Sequence, residues 1–260
     1  VAREVENVFL AAGYTSVVYS TGQDAERESQ VLKMMRVQRV AGLIVIPTRS
    51  DAEHGAALVG QIHVPTVLLD MYVEGLPYDV VKTDNIESGR IATEPLLSLG
   101  HRRIGIIVGI PGLATSDDRY EGYRKAFEDR GLEPDPELAL PGNFDQKVAH
   151  DMGVKFIGMK QRPTAIVAIS NMMTMGLLFA IREQGLSIPD DLSVVGIDDL
   201  EFAQLLDPKP TAVTTPILAM ARRSIQKLLG QLSGETKPDG EWEVYQPQLV
   251  VRQSTAKPQG

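Results

Sequence analysis

Short runs of β-branched and aliphatic residues alternate along nearly the whole chain with stretches whose apolar residues recur at helical spacing. A run such as Leu192-Ser193-Val194-Val195-Gly196-Ile197 lacks inside/outside alternation, so both of its faces must meet apolar neighbours. That happens where a parallel sheet is covered by helices on both sides, and the chain reads as repeated βα units. Expected strands are 16–20, 42–46, 66–69, 80–83, 103–108, 137–140, 164–169, 192–196, 211–213 and 244–251. Helix 1–12 is expected to carry Val1, Val5, Val8, Phe9 and Ala12 on one face and to stop at Gly13; helix 85–99 takes Asp84 or Asn85 as N-cap and stops at Gly100. Further helices are expected at 119–129, 146–159, 172–184 and 216–232, the last with Pro216 in its first turn. The tail after Ser254, through Pro258 to Gly260, is expected to fray.

With 260 residues, 43% hydrophobic and 23% charged, the chain can bury a large core as one α/β domain or two lobes. Its longest apolar runs, Ile104 to Ile110 and Leu192 to Ile197, fall well short of the ~20 residues of a membrane helix, so no membrane partner is expected. The absence of cysteine excludes disulfides, thiolate zinc sites and thiol nucleophiles, and fits a reducing compartment, here the cytoplasm. A net charge of -8 repels a phosphate backbone, so any DNA contact is expected from another segment.

In open parallel sheets ligands bind just beyond the carboxyl ends of the strands. Asp70 follows Val67-Leu68-Leu69; Ser116 to Arg119 close the loop after Ile106-Ile107-Val108; Phe144 follows Leu140. Ser170 and Asn171 follow Ile169, Asp198 and Asp199 follow Val194-Val195-Gly196, and Thr214 and Thr215 follow Val213. The set suits a neutral polyol: carboxylates and an arginine bind vicinal hydroxyls through charge-assisted hydrogen bonds, and an aromatic ring covers the apolar face of a sugar. Each residue taken alone has a plainer reading. Asp198 or Asp199 could cap the turn at Leu200 to Leu205, Arg119 could pair with Glu121 or Asp118 in solvent, Phe144 could anchor a loop, and Asp70 could form a turn.

Catalytic and metal motifs are not met. Ser224 and Lys227 have the Ser-x-x-Lys spacing of serine acylases but lack its partner motifs, and read as a solvated helix face. Gly105, Gly109 and Gly112 match neither nucleotide-binding fingerprint and read as a tight turn. His54, His63, His101 and His150 are scattered, which favours surface or turn positions over a metal site. No enzyme activity, cofactor or metal is expected.

The order of motifs from Val64 to Ser254 resembles the effector domain of LacI/GalR transcription regulators. It runs through Val64-Pro65-Thr66-Val67-Leu68-Leu69-Asp70, Thr83-Asp84-Asn85, Leu99-Gly100-His101-Arg102-Arg103-Ile104 and Asp118-Arg119-Tyr120-Glu121-Gly122-Tyr123-Arg124. Arg162-Pro163-Thr164-Ala165, Ile188-Pro189 through Ile197-Asp198-Asp199, and Leu249-Val250-Val251-Arg252-Gln253-Ser254-Thr255 complete it. The resemblance implies an α/β fold of two Rossmann-like lobes with parallel sheets, of the periplasmic binding protein type I-like kind, joined by three crossovers. One lobe would take residues 1–82 and 215–243, the other 83–214 and 244–260. It further implies a small sugar-like effector in the cleft between the lobes, a homodimer, and operator DNA bound by a helix-turn-helix headpiece upstream of this chain. Ligand positions carried over by motif are Asp70, Arg119, Phe144, Asp198 and Thr215, with Ser170 at the rim beside them. Ser170-Asn171 replaces the family's usual Asn-Asp, Asp70-Met71 replaces Asp-Arg, and the family's first strand and Asn-Pro-Phe-Phe segment are absent.

The alternative is a periplasmic sugar-binding receptor of an ABC transporter, which shares the two lobes. An export signal upstream would favour that receptor, and a helix-turn-helix would favour the regulator.

Overall fold

The computed structural model describes residues 2–259. Its elements run α1 (Ala2–Ala11), α2 (Ala25–Val37), β1 (Leu43–Val45), α3 (Ala52–Gln61), β2 (Thr66–Leu69), β3 (Asp79–Thr83), α4 (Asn85–Ser98), β4 (Ile104–Val108), α5 (Ala114–Glu128) and β5 (Ala139–Pro141). They continue with α6 (Gln146–Ile157), β6 (Ala165–Ala168), α7 (Asn171–Glu183), β7 (Ser193–Ile197), β8 (Thr211–Thr214), α8 (Ile217–Ser233), β9 (Trp242–Tyr245) and β10 (Gln248–Val250). The chain forms two compact units. The first gathers the chain up to Thr83 with Gly112–Ala114 and Pro216–Tyr245; the second gathers Asp84–Pro111, Thr115–Thr215 and Gln246 onward.

The first unit is built on a four-stranded parallel sheet in the order β1-β2-β3-β9. Neighbouring strand residues face opposite sides, which is why the run Val67-Leu68 must be apolar throughout. Leu68 packs with Leu32 of α2 and Leu58 of α3, while Val67 packs with Phe9 of α1 and Met220, Ile225 and Leu228 of α8. Gly13, at φ +82°, ends the first helical segment, its N–H donating to the Leu10 carbonyl.

The second unit carries a six-stranded sheet in the order β10-β8-β7-β6-β4-β5. Its central strands supply Ile104, Ile106, Ile107, Ile166, Val167, Val194 and Val195, all fully buried, against Tyr123 and Phe127 of α5 and Phe156 of α6. Each such aliphatic or aromatic side chain contributes roughly 1.5–3 kcal/mol of burial. Asp84 caps α4 by accepting from the Glu87 N–H at 2.9 Å, and Asp145 caps α6 by accepting from Val148 at 2.8 Å.

Several sequence expectations are corrected. Residues 16–20 form no strand: they join neither sheet, and Val17, Val18 and Tyr19 stay exposed. Residues 137–140 split, because Asp135 and Pro136 start a short 3-10 turn at Pro136–Leu138 and leave only Ala139–Pro141 for β5. The run 244–251 is two strands around Pro247. β9 joins β3 in parallel, whereas β10 runs antiparallel to β8, so the second sheet is not wholly parallel. α5 begins at Ala114, which places Ser116 to Arg119 in its opening turns rather than in a loop. Pro216 caps α8 from outside its first turn. Ala12 is exposed in the turn after α1; Val1, Gly260 and the side chain of Val5 lie outside the description.

Two further readings change. Ser224 and Lys227 are not a solvated face: Ser224 is fully buried and donates to the Met220 carbonyl, and the Lys227 ammonium lies 2.7 Å from Glu241 and 3.8 Å from Asp79. His54 and His101 are buried, not surface residues, because each finds a polar partner inside. His54 Nε2 lies 2.7 Å from Glu28, and both ring nitrogens of His101 are engaged.

Candidate functional site

The strongest polar constellation lies in the second unit, where the carboxyl ends of β6, β7 and β8 meet α4 and α5. Arg119 projects from α5 and is 4% exposed. Its Nε donates to Asn85 Oδ1 at 2.9 Å; its Nη1 donates to the Ile169 carbonyl at 2.6 Å and to Asp198 Oδ2 at 2.8 Å. The other Asp198 oxygen accepts from the Thr215 hydroxyl at 3.1 Å. The guanidinium is therefore held by an amide, a main-chain carbonyl and a carboxylate, each arriving from a different element.

Glycine makes this convergence possible. A Cβ on Gly89 of α4 would collide with the Arg119 carbonyl, and one on Gly122 of α5 would collide with the Ile86 carbonyl. The two helices thus touch backbone to backbone, which brings Asn85, at the start of α4, within reach of Arg119.

Asp198 adopts φ +62°, a left-handed conformation that carboxylate and amide side chains tolerate better than most. Its neighbour Asp199 faces another way, forming a two-pronged ion pair with Arg252 at 2.9 and 2.5 Å. Arg252 also donates to the Pro210 carbonyl at 2.7 Å. The hydrogen bond from Arg252 holds the Asp199 carboxyl below its ordinary value, and the same bond pushes the guanidinium up. Both halves of the Asp198-Asp199 pair are pinned in this way, one by Arg119 and one by the residue just past β10.

Phe144, at φ +55°, is half-buried beside Gly109. The ring edge occupies the space that a Cβ at Gly109 would take, with Ser116 Oγ alongside. Ser170 is buried and caps α7, its hydroxyl accepting from the Met173 N–H at 3.2 Å; it sits directly after the carbonyl that Arg119 grips. Asp70 belongs to the first unit, follows β2 at φ +66°, and its N–H donates to the Val81 carbonyl at 2.8 Å. Of the six residues singled out from sequence, Arg119, Asp198 and Thr215 share one hydrogen-bonded network. Ser170 borders it, Phe144 lies along the same sheet, and Asp70 stands on the other unit.

Sequence reading took Asn85 for a possible helix cap and missed its bond to Arg119, 34 residues away. Its amide nitrogen is buried with no hydrogen-bond partner among the described residues. The Arg252–Asp199 pair is likewise not legible from local sequence, its partners lying 53 residues apart. No group of three or more His, Asp or Glu capable of holding a metal occurs among the described residues, and no helix is long and apolar enough to cross a membrane.

The periplasmic binding protein-like domain family matches residues 93–255. The chain belongs to that family. As a periplasmic binding protein-like domain it is 29% identical over 253 residues to the HTH-type transcriptional repressor PurR of Vibrio campbellii, spanning 97% of this chain and 75% of the repressor. Among solved structures, a regulatory protein of the LacI family from Chloroflexus aggregans is 26% identical, with a TM-score of 0.83 and coverage of 97% and 90% of the two chains. A periplasmic binding protein/LacI transcriptional regulator from Alkaliphilus metalliredigens, complexed with D-xylulofuranose, is 25% identical, with a TM-score of 0.83 and coverage of 98% and 92%. The resemblance of this periplasmic binding protein-like domain to LacI/GalR regulators, read from its motifs, is borne out by these relatives.

Proposed function

We propose that this chain is the effector-sensing domain of a LacI/GalR-type transcription regulator and that its effector is a small neutral sugar or polyol. The observation that carries the reading is Arg119, a buried guanidinium braced by Asp198, Asn85 and the Ile169 carbonyl at the carboxyl end of a largely parallel sheet. Such a group presents fixed donors to hydroxyl oxygens while its charge is balanced by Asp198, which suits an uncharged polyhydroxylated ligand better than a dianionic one. The relative that holds D-xylulofuranose supports the same ligand class. In this reading Phe144 covers an apolar sugar face, and Thr215 and Ser170 supply hydroxyls. Binding is the role rather than turnover.

The domain works as a cytoplasmic homodimer, and sugar binding shifts the operator affinity of a DNA-binding headpiece encoded with it. A typical coupling of this kind is about 1–3 kcal/mol. A relative that is a transcriptional repressor and another that is a regulatory protein of the LacI family favour this over an exported receptor. The test is a thermal-shift screen of the chain against pentoses, hexoses and disaccharides, since a ligand at about 100 times its Kd stabilises a fold by about 2.7 kcal/mol. A sugar hit abolished by Arg119→Met supports the reading; a hit confined to sugar phosphates or purines overturns the neutral-sugar assignment.

A further inference from the structure

We propose that Asn85 is a specificity-determining positioning residue, which keeps the Arg119 Nη2 group unclaimed by protein and so reserves it for a hydroxyl oxygen of the ligand. The inference rests on the sugar-effector reading above and adds to it a residue that the ligand does not touch.

The Arg119 guanidinium is only partly used by the protein. Its Nε is spent on Asn85 Oδ1 and its Nη1 on Ile169 and Asp198; none of these bonds uses Nη2. The Nε and Nη2 hydrogens point the same way, as a two-pronged edge that a carboxylate would take whole. Asn85 cannot take it whole. Its Oδ1 accepts from Nε, and this bond fixes the other end of the amide as Nδ2, a donor, which repels rather than receives the Nη2 hydrogens.

The orphaned Nδ2 fits this account. Asn85 is 1% exposed, and its Nδ2 is buried with no partner among the described residues. A buried donor left unpaired is destabilising, and an aspartate here would remove that penalty while satisfying Arg119 more fully. Asparagine instead holds Arg119 by one edge hydrogen, leaves Asp198 as the one carboxylate bonded to the guanidinium among the described residues, and keeps the second edge hydrogen available. The position itself would accept a carboxylate, because Asn85 opens α4, where the helix dipole favours negative charge.

The experiment is isothermal titration of the whole chain with D-xylulose, D-ribose and cellobiose, alongside thermal unfolding, for wild type, Asn85→Asp and Asn85→Ser. The expected result is that Asn85→Asp unfolds no earlier than wild type yet binds the sugar roughly tenfold or more weakly, because Nη2 is captured. Asn85→Ser, which stays neutral, is expected to lose less affinity than Asn85→Asp. Wild-type affinity in Asn85→Asp, or weaker binding by Asn85→Ser than by Asn85→Asp, overturns the proposal and leaves the sugar reading intact. If Asn85→Asp does not fold, Asn85→Ser decides: binding within about threefold of wild type supports the proposal, and loss as complete as in Arg119→Met overturns it. If wild type binds none of the three sugars, the sugar reading fails and this inference falls with it.

Discussion

Arg119 and Asp198 form an asymmetric ion pair: Nη1 and Oδ2 lie 2.8 Å apart, but the arginine side chain is 5% exposed and the aspartate 22%. The partners should therefore respond differently to deletion. Asp198→Ala strands a buried cation and should lower stability by about 3 kcal/mol, whereas Arg119→Met leaves a partly hydrated carboxylate still bonded to Thr215 and should cost clearly less. Both should abolish sugar binding. Urea unfolding of the two variants decides the matter, and equal losses of stability would show that the pair is not organised around a buried arginine.

Gly89 is the point at which α4 and α5 touch, and a methyl group there must displace the Arg119 main chain. Gly89→Ala is expected to lower stability by about 1–3 kcal/mol through overpacking, and to weaken sugar binding because Arg119 moves away from Asn85 and Asp198. Gly158→Ala is the control, since a Cβ there meets only ordinary contacts, the nearest being the Val154 carbonyl at 3.5 Å. Similar melting temperatures for the two variants would contradict a backbone-to-backbone crossing.

What could be read from the chain followed the range of each interaction. β4 and β7 are almost wholly apolar because both of their faces are buried, and that requirement is written locally in the residues themselves. Residues 16–20 carry an equally good strand composition and form none, because pairing depends on a neighbouring edge that local composition does not report. Arg119, Asp198 and Thr215 could be named from their places after strands. Asn85 could not, because its role comes from the α4–α5 crossing at Gly89 and Gly122 rather than from its own neighbours. The buried His101 was missed for the same reason, its partners Thr164 and Ala256 lying far along the chain.

His101 should make stability depend on acid. Its Nε2 donates to the Ala256 carbonyl at 2.8 Å, and its Nδ1 lies 2.7 Å from the Thr164 hydroxyl. Burial pulls its pKa below the ordinary 6.5, partly opposed by the bond to Ala256. The unfolded chain therefore takes up a proton near pH 6.5 while the folded chain resists, so the contribution is full above that value and is lost as pH falls below it. His150 works in the opposite sense: hydrogen bonds to Asp151 and then Glu183 raise its pKa, so its smaller, exposed contribution fades as pH rises. The measurement is melting temperature between about pH 7 and pH 5 for wild type and His101→Gln. A shallower acid slope in the variant is expected, and parallel slopes would remove His101 as the cause.

Gly109 offers a way to separate the site from the fold. The three atoms nearest to a Cβ there are two on the far edge of the Phe144 ring and, at 2.9 Å, the Ser116 hydroxyl oxygen, all of them side-chain atoms that can swing aside. Gly109→Ala should therefore change stability by less than about 1 kcal/mol while pushing the ring out of the place from which it would cover a sugar. Phe144→Ala removes the same ring without adding a methyl group. If the ring covers the ligand, the two variants lose affinity for a sugar hit to a similar degree and keep near wild-type melting temperatures. If Phe144 only anchors its loop, Phe144→Ala destabilises the second unit and Gly109→Ala leaves titrations with sugar unchanged, a combination that would strip Phe144 of its place in the site.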